Sequence, residues 1–240
     1  MAGRPGAGRL LWSDEFDGPA LAPPDPGRWV HETGAGGWGN GEVQRYTADP
    51  ANAAHDGAGN LVLRALPGVD GITSARLVTK DRFAFAYGRL EVRARPPAGQ
   101  GLWSAVWMLG ADIDAAGWPA CGEIDVMEVL GADPARVLGT AHCPGHAGPE
   151  GLGGAHRARG LPADGFRVFA VDWSPEAIAW SVDGETYFRL AATELGRAWV
   201  FDHPFYVLVN LAVGGTLGGA VDAAALPAEF RLDYLRVYAA

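Results

Sequence analysis

The stretch GEIDVMEVLG, residues 122–131, contains three carboxylates within a run of otherwise apolar, strand-forming residues. Burying charged groups among such neighbours costs several kcal/mol unless the groups are paired or used. Glu123 and Asp125 lie two positions apart, so a strand projects both side chains from one face. Glu128 lies five positions after Glu123, and an unbroken strand would project it from the other face. We predict a β-bulge at Val126–Met127, because one extra residue returns Glu128 to the acidic face.

This acidic face predicts a site for acid–base chemistry. With the bulge, the carboxyl groups of Glu123 and Glu128 can approach to about 5–5.5 Å, the separation that retaining glycoside hydrolysis requires of its nucleophile and its acid/base. Asp125 lies between them. We expect it to hydrogen-bond Glu123 and to raise the proton affinity of the pair, because clustered like charges resist full ionisation. The spacing alone also fits a solvated acidic edge strand or a calcium site made of the same acids.

Composition argues against several classes of partner. The chain has 240 residues, 48% of them hydrophobic, which is enough apolar material for the core of one domain. The net charge is −9 and the 19 basic residues are scattered, so we expect neither a nucleic-acid nor a membrane-surface partner. No apolar run approaches about 18 residues, and we expect no transmembrane helix. The start, MAGRPGAGRLLW, lacks the apolar block of a secretory signal.

Cysteine and tryptophan counts also bear on function. Cys121 and Cys143 match no zinc spacing, and we interpret them as free thiols, with one disulfide as the alternative. Cys121 shares the face of Glu123 in the strand pattern, whereas Cys143 should point the other way, which argues against pairing. Nine tryptophans are an unusual number for this chain, and a sugar-binding cleft is a common reason to line a surface with such rings.

Strand signals dominate the rest of the chain. Short runs of β-branched, aromatic and alternating polar residues predict strands at residues 60–66, 75–80, 88–96, 166–173, 205–213 and 230–238. In AIAWSVDGETYFRL, Asp183-Gly184 predicts a tight hairpin turn. Only residues 192–199 suggest a short helix, and residues 34–41 and 144–156 are interpreted as Gly-rich rim loops. We predict one all-β domain, a sandwich or barrel, with residues 1–9 as a flexible N-terminal tail.

Motifs around the acidic strand closely resemble those of family 16 glycoside hydrolases of the laminarinase-like, β-1,3-glucanase type. WPACGEIDVMEVLG and the preceding GLWSAVWMLG carry the resemblance. Other matching blocks follow in family order from Leu10 onward, among them GGWGNGEVQRYT, SARLVTKDRFAFAYGRLEVRA, GTAHCPG, FDHPFYVLVNLAVGG and DYLRVY. The resemblance implies a single catalytic domain over residues 1–240, a concanavalin A-like β-jelly-roll sandwich of two antiparallel sheets with a concave substrate cleft.

The resemblance also implies an activity, a retaining endo-β-1,3-glucanase acting on laminarin-like glucan, with mixed-linkage β-glucan as a further candidate substrate. By motif match, Glu123 is the nucleophile, Asp125 its supporting acid and Glu128 the general acid/base. Two alternatives stay open: a galactan hydrolase of the agarase or carrageenase type, and a non-catalytic β-glucan-binding module. The acidic net charge favours a neutral glucan, and the presence of both glutamates favours an enzyme.

A set of sugar-contacting side chains is implied by the same resemblance. Trp118 would stack on a sugar next to the scissile bond, and His142 would tune Glu128 or hold a sugar hydroxyl. The other residues expected to line the cleft are Trp103, Trp107, Asn40, Arg76 and Trp38. Asn210 fits a substrate contact and a buried structural amide equally well. Leu217 stands where relatives often have an aromatic residue, so a stacking contact is expected to be missing there.

The resemblance further bears on metals and partners. Glu15, Gly57 and Asp233 match positions at which many relatives hold one structural calcium ion far from the chemistry. Asp233 would supply a carboxylate oxygen and the other two mainly backbone carbonyls. We expect no cofactor for the reaction itself and no partner except the polysaccharide, with a monomeric chain. The implied function suggests a secreted protein, although this chain shows no signal peptide.

Overall fold

Short alternating runs build two β-sheets in the computed structural model, which describes residues 8–158 and 165–240. The larger sheet has ten strands within these residues: β1 (Leu10–Asp14), β3 (Arg45–Tyr46), β4 (Ala53–His55), β5 (Leu61–Gly68), β6 (Gly71–Ser74), β8 (Gly88–Arg95), β13 (Arg167–Trp173), β14 (Ala177–Val182), β15 (Glu185–Ala191) and β17 (Ala228–Tyr238). Their order is β15-β14-β13-β8-β17-β5-β6-β3, with β1 paired to β17 and β4 to β5.

The smaller sheet carries the acidic strand. Its seven strands within the same ranges are β2 (Val30–His31), β7 (Arg76–Val78), β9 (Leu102–Gly110), β10 (Glu123–Leu130), β11 (Arg136–His142), β12 (Leu152–Arg157) and β16 (Phe205–Val213). Their order is β12-β11-β10-β9-β16-β7-β2, and all of these pairs are antiparallel. The acidic strand β10 therefore lies inside the sheet, between β9 and β11, and not at an edge.

Helices are limited to single turns in the described residues. They are α1 (Ile113–Ala116), α2 (Ala192–Leu195) and α3 (Gly215–Gly218). The 3-10 turn Gly196–Ala198 follows α2, which confirms the short helix predicted at residues 192–199. None of the helices in these ranges has the length and apolar character needed to cross a membrane.

The core lies between the two sheets. Ile124 and Val129 of β10 are fully buried there, and so are Phe169 of β13 and Leu232 of β17. Each such side chain stabilises the fold by roughly 1.5–3 kcal/mol relative to an exposed position. The interior face of β10 is thus committed to packing, and its polar residues are left to the opposite face.

Most local expectations are confirmed. Each predicted strand overlaps an observed one, and the hairpin turn has φ of 49° at Asp183 and 85° at Gly184. The expectation of a loop throughout residues 144–156 is wrong, because β12 begins inside it and pairs along β11. Of the predicted tail, residues 1–7 lie outside the described ranges, and the carbonyl of Arg9 accepts a hydrogen bond from the Ala239 N–H at 2.9 Å.

Candidate active site

The predicted bulge is present in β10. Against β9, Asp125 pairs with Trp107 and Met127 pairs with Val106, so Val126 is the extra residue. Both Val126 and Met127 pack into the core between the sheets. Because two successive side chains point inward, Glu128 returns to the face that carries Asp125. The bulge accounts for the odd spacing of the acids.

Each of the two glutamates accepts a hydrogen bond from a tryptophan. The Trp118 indole N–H donates to Oε2 of Glu123 at 2.6 Å, and the Trp103 indole N–H donates to Oε1 of Glu128 at 2.9 Å. Asp125 and Glu128 are buried, whereas Glu123 is partly exposed. The two glutamates are therefore oriented by neutral N–H donors, which leave room for a proton on either carboxyl group.

The environment favours the protonated forms of these acids. Burial, together with the charge of Asp125, raises the pKa of Glu123 to about 8. Burial also raises the pKa of Glu128 to about 7, although the Trp103 N–H opposes this rise. For Asp125, burial and then the charge of Glu128 raise the pKa well above its usual range. The three carboxyl groups therefore retain protons at neutral pH. Because the groups share these protons, the higher pKa of Glu123 does not decide which glutamate is the nucleophile.

His142 lies on β11, beside the acidic strand. It lies directly across from Glu123 in the pairing of β10 with β11, and its Nε2 is 3.2 Å from Oδ2 of Asp125. The residue opposite Glu128 is Leu138, because the bulge shifts the register between Asp125 and Glu128. His142 therefore contacts Asp125, while its charge acts to lower the pKa of both Glu123 and Glu128. That it tunes Glu128 or holds a sugar hydroxyl stays a prediction.

Arg76 forms the centre of a second group of predicted residues. Its guanidinium carbon lies 4.8 Å from the ring centre of Trp38 and 4.8 Å from that of Trp107. Its Nε donates to Oε2 of Glu32 at 2.5 Å. Three residues predicted from separate parts of the chain are thus brought together, and cation–π attraction helps hold the arginine between the rings.

A buried hydrogen-bond network links the Asn40 loop to Trp107. Glu42 accepts from Asn40 at 3.2 Å and from the Tyr46 hydroxyl at 2.9 Å. Asn210 donates to the Tyr46 hydroxyl at 3.1 Å and accepts from the Trp107 N–H at 2.7 Å. Asn210 therefore orients Trp107. Of the two interpretations left open for Asn210, the structure favours the buried structural amide over the substrate contact.

The thiols lie on opposite faces of the seven-stranded sheet. Both are free and buried. Cys121 packs with Leu109 and Tyr206 in an apolar cluster on the acid-bearing side, whereas Cys143 belongs to the core between the sheets. The expectation of free thiols and the parity argument against pairing are confirmed.

The matching sequence profile extends over both the acidic strand and its neighbours. The profile describes glycosyl hydrolases family 16, and it matches residues 42–236 of this chain. The chain belongs to glycoside hydrolase family 16. The matched region includes the bulged strand, His142 and Arg76, whereas Glu32, Trp38 and Asn40 precede it.

Several relatives of this family 16 chain are named for β-glucan cleavage. A β-glucanase from Rhodothermus marinus is 43% identical over 245 aligned residues, covering 95% of this chain and 84% of the relative. A glucan endo-1,3-β-glucosidase from Cryptopygus antarcticus is 37% identical, covering 89% of this chain and 83% of the relative. The solved laminarinase catalytic domain from Thermotoga maritima is 40% identical, with a TM-score of 0.91 and coverage of 98% of this chain and 99% of that one. These likenesses confirm the predicted jelly roll.

Metal binding at the acids themselves is poorly supported in this family 16 site. Among the described residues, one group of three potential ligands lies within 4.8 Å: Glu123, Asp125 and His142. A metal-binding histidine normally donates its second ring nitrogen to a partner. Nδ1 of His142 is buried and has no hydrogen-bond partner within the described ranges. The group fits proton sharing better than metal ligation.

The predicted calcium site stays a prediction. Arg236 donates to both carboxylate oxygens of Glu15, at 2.9 and 2.5 Å, and Arg93 binds Oδ2 of Asp233. These ion pairs satisfy the Glu15 carboxylate. A calcium ion here would therefore rest on the second oxygen of Asp233 and on backbone carbonyls such as that of Gly57, which is the ligand type predicted from the resemblance.

Sequence reasoning missed several residues that hold this site. Glu42, Gln44 and Tyr46 form the network beside Asn40, and the Gln44 amide donates to Glu42 at 2.6 Å. Their alternation in GEVQRYT is a strand-like polar pattern that signals a shared face. Trp180 is the other omission. Its indole N–H donates to the Asp125 carbonyl at 2.8 Å, but it belongs to the opposite sheet, and nothing local in its sequence connects it with the acids.

Proposed function

We propose that this family 16 chain is a retaining endo-β-1,3-glucanase that acts on laminarin-like glucan. The observation that carries the proposal is the bulge in β10, which turns Glu123, Asp125 and Glu128 to one face of the sheet. The names of the relatives support the same activity, because they include laminarinases and an endo-1,3-β-glucosidase.

The reaction proceeds in two steps on these residues. First, Glu128 gives its proton to the leaving glycosidic oxygen while the Glu123 carboxylate attacks the anomeric carbon, so that one C–O bond breaks and an ester bond forms. Second, Glu128, now ionised, takes a proton from water, which attacks the same carbon and releases Glu123. The anomeric configuration is inverted twice and therefore retained.

Neighbouring side chains support these roles. The Trp118 N–H stabilises the ionised form of Glu123, and the Trp103 N–H fixes the orientation of Glu128. Trp118 is 49% exposed, which leaves its ring free to contact a sugar as well. Trp103 is only 8% exposed, and we assign it to positioning the acid. Asp125 separates the two glutamates and shares their protons.

Conservative amide variants test the proposal directly. Glu123→Gln and Glu128→Gln should each reduce laminarin hydrolysis by about 10³-fold or more, because each removes a group that takes part in bond making or breaking. Glu229→Gln on β17, whose carboxylate pairs with Arg64, is the matched control and should retain activity. Circular dichroism should show that all three variants are folded. Wild-type rates in either catalytic variant would refute the assignment.

Product analysis separates this function from its alternatives. Reducing-sugar release should be measured on laminarin, mixed-linkage β-glucan, agarose and carrageenan. Proton NMR should determine the anomeric configuration of the product when it is first released. Laminarin oligosaccharides with retained configuration support the proposal. Release only from agarose or carrageenan would make the chain a galactan hydrolase, and tight glucan binding without any cleavage would make it a binding module.

We also propose that the chain works as a monomer outside the cell. The support for the location is the proposed substrate, since a laminarin-like glucan is a polymer too large to enter cells intact. The support for the monomer is that the acids and their hydrogen-bond donors all come from one chain. Size-exclusion chromatography with light scattering tests the oligomeric state, and fractionation of the source culture tests the location. A stable dimer or exclusively intracellular protein would contradict the respective part.

A further inference from the structure

The bulge in β10 returns Glu128 to the acidic face, but it also disturbs the backbone hydrogen bonds of the strand. An extra residue interrupts the ladder, and a buried carbonyl without a partner is costly. The carbonyl of Asp125, where the register shifts, accepts a hydrogen bond from the Trp180 indole N–H at 2.8 Å. Trp180 belongs to β14 of the ten-stranded sheet and is fully buried. One tryptophan therefore crosses the core and holds the bulge from behind.

Gly139 provides the space for this crossing. It lies on β11 between Leu138 and Thr140, the residues that pair with Glu128 and Asp125 on either side of the bulge. A Cβ atom at Gly139 would be 2.4 Å from Cδ1 of Trp180 and 2.4 Å from the Tyr187 hydroxyl. Its φ is not in the left-handed region, so glycine is needed here for space and not for conformation.

We propose that Trp180 is a positioning residue for the catalytic carboxylates, acting through its hydrogen bond to the Asp125 carbonyl. The bond fixes where the extra residue sits and therefore the direction in which Glu128 projects. Because a displacement of about 1 Å at reacting groups can cost about 10²-fold in rate, a slightly loosened bulge should lower turnover. The inference rests on the proposed roles of Glu123 and Glu128.

Trp180→Phe tests this inference against a matched control. The change keeps an aromatic ring and removes the N–H. Trp173→Phe removes an equivalent buried bond, since the Trp173 indole donates to the Phe201 carbonyl at 3.0 Å from the neighbouring strand. Both variants should lose a similar amount of thermal stability. Only Trp180→Phe should lower kcat, by about tenfold, with KM for laminarin oligosaccharides within about twofold of wild type.

Gly139→Ala supplies a second approach that does not alter the tryptophan. The added methyl group should displace the indole and lower kcat about as much as Trp180→Phe does. The double variant should be no slower than the worse single one, because both changes break the same bond. Multiplicative losses in the double variant, or equal kcat values for Trp180→Phe and Trp173→Phe, would overturn the inference.

The result is distinguishable from failure of the proposed function. If Glu123→Gln and Glu128→Gln remain active, the catalytic roles themselves are wrong. If those two variants are inactive while Trp180→Phe turns over at the rate of Trp173→Phe, only the positioning role fails. Should Trp180→Phe not fold, the kcat and KM of Gly139→Ala decide the question.

Discussion

Acidic residues lie on strands in both sheets, and their neighbours differ completely. On the ten-stranded sheet, Glu229 is bound by Arg64 at 3.0 Å and by Arg231 at 2.5 Å. On the seven-stranded sheet, Glu123 and Glu128 accept from indole N–H groups, and no ion pair with lysine or arginine reaches them in the part of the chain that the structure describes.

The pKa values follow from this difference in neighbours. Burial tends to raise the pKa of Glu229, but the hydrogen bonds from Arg231 and Arg64 outweigh it and the net shift is downward. Burial and the nearby acids raise the pKa of Glu123 to about 8 and that of Glu128 to about 7. A glutamate side chain is thus held as an anion at neutral pH on one sheet and can carry a proton on the other. The comparison teaches that the proton affinity of the catalytic acids depends on the lack of an arginine partner as much as on the acids themselves.

Of the changes that test this comparison, placing an arginine beside the catalytic acid should have the largest effect. Leu138 pairs directly with Glu128 across β11. Leu138→Arg should lower the pKa of Glu128 through the arginine's charge and reduce kcat at neutral pH by about 100-fold, because the acid would be ionised before it could donate its proton. Leu138→Met, which alters shape without adding charge, is the control. Steady-state kinetics on laminarin check the result, and equal rates for the two variants would contradict it.

A smaller effect is expected from pH alone. The general acid must be protonated, and the pKa of Glu128 is about 7. As pH rises above that value, kcat/KM should fall by about tenfold per pH unit, because the protonated fraction falls by that factor. The pH profile of kcat/KM measures this limb, and Glu229→Gln should leave it in place. A profile that stays flat to about pH 9 would show that no buried acid controls the rate.

The smallest effect is on stability, and it should have opposite signs on the two sheets. Glu128 has a folded-state pKa above its unfolded value, so the stability it contributes is complete below the unfolded pKa and is lost as pH rises toward about 7. Glu128→Gln should therefore raise the Tm at pH 8 by roughly 7–10 °C and change it little at pH 4.

Glu229 should behave in the reverse way. Its pKa is lowered by folding, so its stabilising contribution is present above the unfolded pKa and is lost as pH falls through the folded pKa. Glu229→Gln should lower the Tm slightly at pH 8, and the difference should disappear in acid. Calorimetric scans of both variants at pH 4 and pH 8 provide the measurement. Shifts of the same sign at pH 8 would break the comparison.

Local patterns were enough to predict much of the fold. Alternation located the strands, and Asp183-Gly184 identified a hairpin turn, because both signals depend on neighbouring residues only. The bulge was also predictable, since the spacing from Glu123 to Glu128 violates the strand period within one segment. The strand β12 was not, because its Gly-rich sequence has weak strand preference and is held by pairing along the whole of β11.

The sequence by itself determined which side chains share a face. Side chains alternate between the two faces of a strand with a period of two residues, so GEIDVMEVLG was sufficient to predict the acidic face and the bulge. Only the tertiary structure decided the partner of each acid. Trp180 reaches the Asp125 carbonyl from 55 positions away and from the other sheet, and the pairing of β10 with β11 places His142 beside Asp125. Such contacts depend on how distant strands stack and align, and no local pattern encodes that alignment.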